Sequence, residues 1–410
     1  MIRRKRHALV ISTDSWSAYK FGLPVAKLLK AEGYGVTMVC SVEAFPDAPS
    51  YVRTIVAEGW QIETLPMCRT LAPLRDIKAL CALFVLIWKY RVTIVYTQNS
   101  KAGVLGRFAA WIARVPIVLH TVHDFAFHSD SRNPRDLLYV LIERIAAKCA
   151  DMHLFVSEEE RNRALRHNIV PASKLRLVGQ GVDLIEYSPN AVSDIRRREL
   201  LEHYGLDPHR PIVGTVARLV PHKGLDCFLQ AAGAVLAIEP NVQFVIVGGG
   251  KLRDELERLA KELHVYENVT FTGFLTDQSC MPTAFSMMDV FCLPTRKEGF
   301  GVVFAEAMAM AKPTVGSDIA PVNTIIERDI TGFLVPRDRP KQFAEVLLQL
   351  LRDSELRARM GDAGRKRVER LFSETSMLDR VATVLRDLER LKCGVSGVSQ
   401  RRAIPGQVGE

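Results

Sequence analysis

Glu298 and Glu306 bracket part of the segment PTRKEGFGVVFAEAMAMAKP, with a Gly-Phe-Gly turn and an apolar run between them. A carboxylate accepts hydrogen bonds from paired hydroxyls, so two of them flanking a turn could hold a nucleotide-linked sugar by both ends. Gly299 and Gly301 free the backbone of the turn, and the N–H groups of Val302 and Val303 would open a helix. A helix N-terminus offers unpaired donors and a positive dipole end, which suits a phosphate. Glu306, one turn further in, could accept from vicinal hydroxyls such as those of a ribose. Glu298, ahead of the turn, could take sugar hydroxyls or steady a developing positive charge. Either glutamate alone is accounted for as an acid favoured near a helix start. The pair around a Gly-Phe-Gly turn is not.

A second group of residues supplies the opposite charge. In GTVARLVPHKGL, Arg218 and Lys223 follow a strand-like run across a short Pro-containing loop. A planar guanidinium and a compact ammonium could together neutralise a diphosphate and stabilise it as a leaving group, although two surface cations at this spacing are also unremarkable. VIVGGGK, from Val245 to Lys251, follows another strand with three glycines, a weaker signal that matches neither a dinucleotide fingerprint nor a P-loop. Asp-x-Asp is absent from the sequence. A diphosphate bound here would therefore be neutralised by Arg218, Lys223 and backbone amides rather than by a carboxylate-held metal. His120, His123 and His128 cluster after a strand in LHTVHDFAFH, but their spacing is not that of a helical metal pair, and no carboxylate beyond Asp124 completes a site. A histidine at a strand end in a cleft would more simply hydrogen-bond a phosphate or a sugar hydroxyl; a structural histidine fits its position equally well.

These groups need a scaffold that brings strand ends together. Strand-like runs at 7–12, 35–40, 93–97, 116–121 and 152–157 alternate with helical stretches at 21–32, 74–90, 101–113 and 136–150. After a turn-rich connection at 177–189 and a polar helix at 193–204, the alternation restarts at PIVGTVARL and continues through 242–247, 269–272 and 290–293. Such alternation implies two successive α/β units, each a parallel sheet covered on both faces. Ligands in open sheets of this kind bind beyond the carboxyl ends of the strands, and every motif above follows a strand. The stretch 373–391 carries Met377, Val381, Val384, Leu385 and Leu388 at helical spacing, so it must bury a face. The expected domains are 1–190 and 191–372, with a helix at 373–392 and a disordered tail at 393–410.

Composition sets the remaining bounds. A chain of 410 residues with 48% hydrophobic and 25% charged residues is that of a globular protein of two domains. The run CALFVLIW is far short of the roughly 20 residues of a membrane span and reads as the buried face of a helix. The basic start MIRRKRH is followed by too short an apolar run for a signal peptide, and none of the eight cysteines forms a CxxC pair, so a reducing, cytoplasmic location is expected. Up to Asn190 there are 25 Lys and Arg against 17 Asp and Glu, whereas the remainder is nearly balanced at 30 against 29. A positive first domain suits an anionic membrane or a phosphate-bearing acceptor, although a solvated basic surface explains it equally well. Nucleic acid would attract it too, but no nucleic-acid module or interleaved aromatic pattern is present.

Taken together, EGFGVVFAE, GTVARLVPHKGL, VSEEERNRAL, VGQGVDLIEYSP and SKAGVLGRFAAWIARVPIVLHTVHDFAFH resemble the retaining glycosyltransferases of family 4, over almost the whole chain. The resemblance implies the GT-B fold, two facing Rossmann-like domains with a C-terminal helix crossing back to the first. It implies transfer of a sugar from a nucleotide diphosphate-sugar, UDP-linked by preference, to a glycan or polyprenyl-diphosphate-linked acceptor in surface polysaccharide synthesis. No cofactor or metal is called for, and peripheral contact with the inner face of the membrane is expected. By this likeness His123 and Glu298 serve at the anomeric centre, and Gly299 and Phe300 meet the donor sugar. Arg218, Lys223, Gly301, Val302 and Val303 hold the diphosphate, Glu306 the ribose and the backbone at Leu275 the base. Trp16 and Ser17 stand where many members have a Gly-Gly loop, on the acceptor side, and Ala320-Pro321-Val322-Asn323 replaces a Gly-Gly-x-Pro-Glu run. A nucleotide-sugar epimerase on the same architecture, needing no acceptor, is the alternative enzyme.

Overall fold

A computed structural model describes residues 6–42, 51–68, 70–127, 133–275 and 280–393. Two parallel sheets account for the strand-like runs. The first contains β1 (His7–Ile11), β2 (Gly35–Cys40), β3 (Ile62–Thr64), β4 (Ile94–Gln98), β5 (Ile117–Val122), β6 (Met152–Phe155) and β7 (Leu175–Leu177), in the order β3-β2-β1-β4-β5-β6-β7. The second contains β8 (Ile212–Val216), β9 (Gln243–Val247), β10 (Val269–Gly273), β11 (Val290–Leu293), β12 (Thr314–Ser317) and β13 (Gly332–Val335), in the order β10-β9-β8-β11-β12-β13. Each central strand is buried along its length because helices cover both faces, which is why these segments read as continuous Val, Ile and Leu. Strand order reverses between β1 and β4 and again between β8 and β11, so each sheet has one switch point where loops diverge and leave a crevice.

The short strands β3, β7, β12 and β13 carry too few residues to leave a period-two signature, and the sequence does not announce them. The first helix also differs from expectation. Asp14 accepts from the backbone N–H of Ser17 at 2.8 Å and opens a helical turn at Ser15–Ser17, followed by a π-helical segment, Ala18–Gly22, and an α-helix, Leu23–Ala31. Trp16 and Ser17 thus stand on a helix start rather than in an open loop. CALFVLIW needs a correction as well. In the helix Pro73–Lys89, Leu83, Leu86 and Ile87 are buried, but Val85 and Trp88 face outward.

The chain crosses between the sheets twice, and the two crossings lie side by side. Val182 donates its N–H to Phe372 at 2.8 Å and accepts from that of Glu374 at 2.9 Å. Val182 and Tyr187 already pack with the second core, so packing passes from one domain to the other before residue 190. The helix Glu374–Cys393 then returns to the first domain, where Met377, Val381, Val384, Leu385 and Leu388 join Leu23, Ala26 and Leu29 in the core. Arg380 fixes it to the Val178 carbonyl at 2.6 Å. Residues 394–410, the expected tail, and His128 lie outside the described residues.

Candidate functional site

The site is built from loops at the carboxyl ends of both sheets. In the second domain the loop after β8 continues through a short 3-10 turn, Pro221–Lys223, and meets the loop after β11. Arg296 ties the two together: its N–H donates to the His222 carbonyl at 2.7 Å, and its guanidinium takes both oxygens of Asp226 at 2.8 and 2.6 Å. A bidentate fork of this kind fixes orientation as well as distance. The result is that Lys223 Nζ reaches Glu298 Oε1 at 2.6 Å, with both side chains largely buried. His222, between Arg218 and Lys223 in the chain, has its pKa held down to about 4 by burial and then by the Lys223 and Arg218 charges. Lys223 and Glu298 therefore meet at one spot, and Arg218 stands on the loop that delivers Lys223.

Gly301 adopts φ +91, a left-handed conformation that most side chains avoid, and so turns the chain abruptly into the helix Val302–Ala309. Among the described residues no side chain caps that helix start, leaving the first N–H groups, those of Val302 and Val303 included, to face the loop. Phe300 turns the other way, its ring 5.7 Å from that of Phe372 in the second core, so only its backbone could meet a sugar. Leu275 is partly buried where the loop after β10 begins.

The first domain meets this surface closely. A Cβ on Gly299 would lie 2.2 Å from the carbonyl oxygen of His123, which means the EGFG turn packs backbone against backbone on the loop after β5. Lys297 pairs with Asp124 across the same seam at 3.2 Å. The His123 ring stacks on Phe21 with centroids 4.5 Å apart, and its Nε2 is 3.0 Å from Gln98 Oε1. Burial holds the imidazole down to about 4 against the opposing effect of a bond with Gln180, so it is neutral at pH 7. Trp16 meets Phe21 edge-on at 5.3 Å and so belongs to the same aromatic group. Ser17 is consumed locally: its hydroxyl donates to Asp14 at 3.1 Å. His120, by contrast, is buried with its Nδ1 2.9 Å from Thr97 Oγ1 and its ring against that of His153.

Glu306 is 3% exposed and sits behind the helix start. Its Oε1 is 2.5 Å from Nζ of Lys20, which rises from the π-helical segment of the other domain and lies over the Tyr187 ring, 3.1 Å from its hydroxyl. Burial pulls the Lys20 ammonium's pKa down, but Glu306, Tyr187 and Glu186 outweigh it and hold the group well above its ordinary value. Lys20 is thus charged at neutral pH and orients the Glu306 carboxylate. Sequence spacing gives no sign of Lys20 or Tyr187. Gln98 could have been found, because it ends β4 beside the strand that leads to His123.

The tightness at Gly299 has a measurable consequence. Gly299→Ala places a methyl group against the His123 carbonyl, and because the backbone at 299 is not left-handed, the substitution acts through the interdomain approach alone. Misplacement of a reacting group by about 1 Å can cost ~100-fold, so kcat/KM is expected to fall by roughly 10- to 100-fold at nearly unchanged Tm. Steady-state kinetics beside a melting curve would check this, and wild-type kinetics would show that the seam is not required.

Comparison with known proteins follows the same division of the chain. A model described as "Glycosyl transferases group 1" matches residues 196–367, and one described as "Glycosyl transferase 4-like domain" matches residues 23–181. The UDP-Gal:alpha-D-GlcNAc-diphosphoundecaprenol alpha-1,3-galactosyltransferase of Escherichia coli is 29% identical over 365 residues, covering 88% of this chain and 91% of that protein. A capsular polysaccharide biosynthesis glycosyltransferase of Staphylococcus aureus is also 29% identical, over 75% of this chain and 80% of its own. Among solved structures, Anabaena HepE in complex with UDP and glucose superposes with a TM-score of 0.76 at 18% identity, over 93% of this chain and 99% of that one, and shows the shared fold.

Proposed function

The chain belongs to the group 1 glycosyl transferases, and from that premise we propose that it moves a sugar from a UDP-sugar to a lipid-linked glycan, with retention of anomeric configuration. The observation that carries the reading is the convergence on one seam of the Lys223–Glu298 pair, on the loop that carries Arg218, with the His123 loop of the first domain. The diphosphate lies against Arg218, Lys223 and the N–H groups of Val302 and Val303, and the ribose hydroxyls reach Glu306. Glu298 accepts from the donor sugar's hydroxyls, releasing the Lys223 ammonium to the phosphate. The bond between the anomeric carbon and the β-phosphate oxygen breaks as the acceptor oxygen attacks from the same face. The acceptor's proton passes to the departing phosphate oxygen, and the two cations stabilise the charge left on UDP. Neutral His123, oriented by Gln98 and Gln180, lies near the anomeric centre without adding a competing positive charge there.

The identity of the base is tested by a thermal-shift panel of UDP-, GDP- and ADP-sugars. A ligand that binds only the folded protein raises stability by about 2.7 kcal/mol at 100 times its Kd, and only the UDP-sugars are expected to do so. Stabilisation by a GDP-sugar would replace the base, and no response to any of the three would remove the donor reading.

A further inference from the structure

The three helices that link β3 to β4, β4 to β5 and β5 to β6 are Pro73–Lys89, Ser100–Ile112 and Pro134–Ala147. Right-handed crossovers running in one direction along the sheet place all three on the same face, opposite the returning C-terminal helix. Their outer surfaces are apolar. On the first, Leu74, Ile77, Val85 and Trp88 are 79, 58, 60 and 65% exposed, and helical periodicity puts them on one stripe. On the third, Leu137, Leu138, Leu141 and Ile145 form a second stripe at the same spacing, each 44–57% exposed. Between them the middle helix ends on Trp111 and Ile112, also exposed. A helix that is apolar on two opposite faces but covered on only one is not the expected surface element of a globular domain.

Charge decides what this face fits. Arg75, Lys78, Lys89, Arg135 and Arg144 flank the stripes, and Arg114 and Lys148 follow the ends of the second and third helices. Among the described residues of the three helices no Asp or Glu is exposed: Asp136 and Glu143 are buried, and Asp76 is half-buried and paired with Lys101. A depression of about 590 Å³ at one end of the face is lined by Trp111, Ile112, Arg114, Lys148 and Lys392, with one acid, Asp151, paired to Lys392. Arg107, fully buried, binds Glu143 at 2.7 Å and locks the second helix to the third, so the platform is rigid. Leu, Ile and Trp interleaved with Lys and Arg and free of exposed acids is the surface that lies in the headgroup layer of an anionic bilayer. In a parallel sheet the helices begin at the carboxyl edge of the strands, so the face starts at the rim of the cleft near Leu74 and Leu137.

We propose that the outer face of these three helices is a membrane-docking surface, which seats the first domain on anionic lipid with the cleft rim at the bilayer. The proposal rests on the reading under "Proposed function" only for why the acceptor is met there; the surface itself stands on exposure and charge. It is tested by flotation of the full chain with phosphatidylcholine vesicles with and without phosphatidylglycerol. Wild type is expected to float with the anionic vesicles and to be released by salt. Ile77→Glu with Leu141→Glu, and separately Arg114→Glu with Lys148→Glu, are expected to weaken binding at least roughly tenfold. Tm and the thermal shift given by a UDP-sugar should be unchanged in both, because the side chains are exposed and remote from the donor loops. Failure of wild type to float at low salt, or equal flotation of the variants, would overturn the proposal. A wild-type dimer in sedimentation that the variants dissolve would overturn it too, giving the face to a second copy of the chain. Loss of the UDP-sugar response in every protein, with flotation intact, would remove the donor reading alone.

Discussion

Arg218→Ala combined with Lys223→Ala will lower turnover by roughly 10³-fold or more while leaving a folded protein that melts near the wild-type temperature. The expectation follows from where the negative charge develops. Sugar transfer leaves a nucleoside diphosphate carrying the electron pair of the broken bond, and Arg218 and Lys223 stand on the one loop after β8 that meets the Glu298 turn. Lys223 is engaged by Glu298 at 2.6 Å, so its ammonium is held at the cleft before the donor arrives and exchanges the carboxylate for the phosphate when the sugar takes Glu298. The single changes should each cost less than the double, because the remaining cation and the helix N-terminus still face the phosphates. Glu298, left without its lysine, becomes a largely buried carboxylate that has lost this counter-ion, which should raise KM for the donor. Single-turnover rates with donor and acceptor would measure the effect, and full activity in the double variant would end the assignment.

Lys20→Ala should be the most destabilising single change in the cleft, by about 3–5 kcal/mol, because it strands a buried carboxylate. Glu306 is 3% exposed and has Lys20 as its counter-ion at 2.5 Å. The loss falls on the joint between the domains, since Lys20 belongs to the first sheet's crossover and Glu306 to the second domain's helix Val302–Ala309. Lys20→Met combined with Glu306→Gln removes both charges and should regain most of the stability, a coupling that a double-mutant cycle measures directly. Donor affinity should fall in the single variant because the carboxylate proposed to accept the ribose hydroxyls loses its orientation, and the cycle variant should not recover it. A melting curve for Lys20→Ala that overlays the wild type would refute the role given to the pair.

Lys20 also gives the π-helical segment a reason to exist. The wider turn over Ala18–Gly22 delivers Lys20 toward Glu306 and Tyr187, and Phe21 toward His123. A regular helix begun at Phe21 would have offered neither. π-helical turns are rare and cluster at working parts of proteins, in keeping with this placement.

No helix among the described residues is long and apolar enough to cross a membrane. The apolar excess of the helix Pro73–Lys89 is spent instead on two opposite faces, one against β-strands and one outward.

Much of this protein is decided by local sequence. Alternating apolar runs and helical periods determine two α/β units, because each segment's period depends only on its own residues. The candidate donor-side residues could be named for a related reason: Arg218, Lys223, Glu298, Gly301 and Glu306 each follow a strand, and strand ends in parallel sheets converge on one edge. The tertiary structure decided what depends on distance between domains. Lys20 and Glu306 are far apart in the chain, and the meeting of the two domains brings them together. The stacking of Phe21 on His123, the inward turn of Phe300 and the capture of Ser17 by Asp14 are likewise matters of packing that no spacing encodes. So is the outward face of CALFVLIW: a run of apolar residues fixes that a helix buries one side, but which side is left over is set by the sheet beneath it.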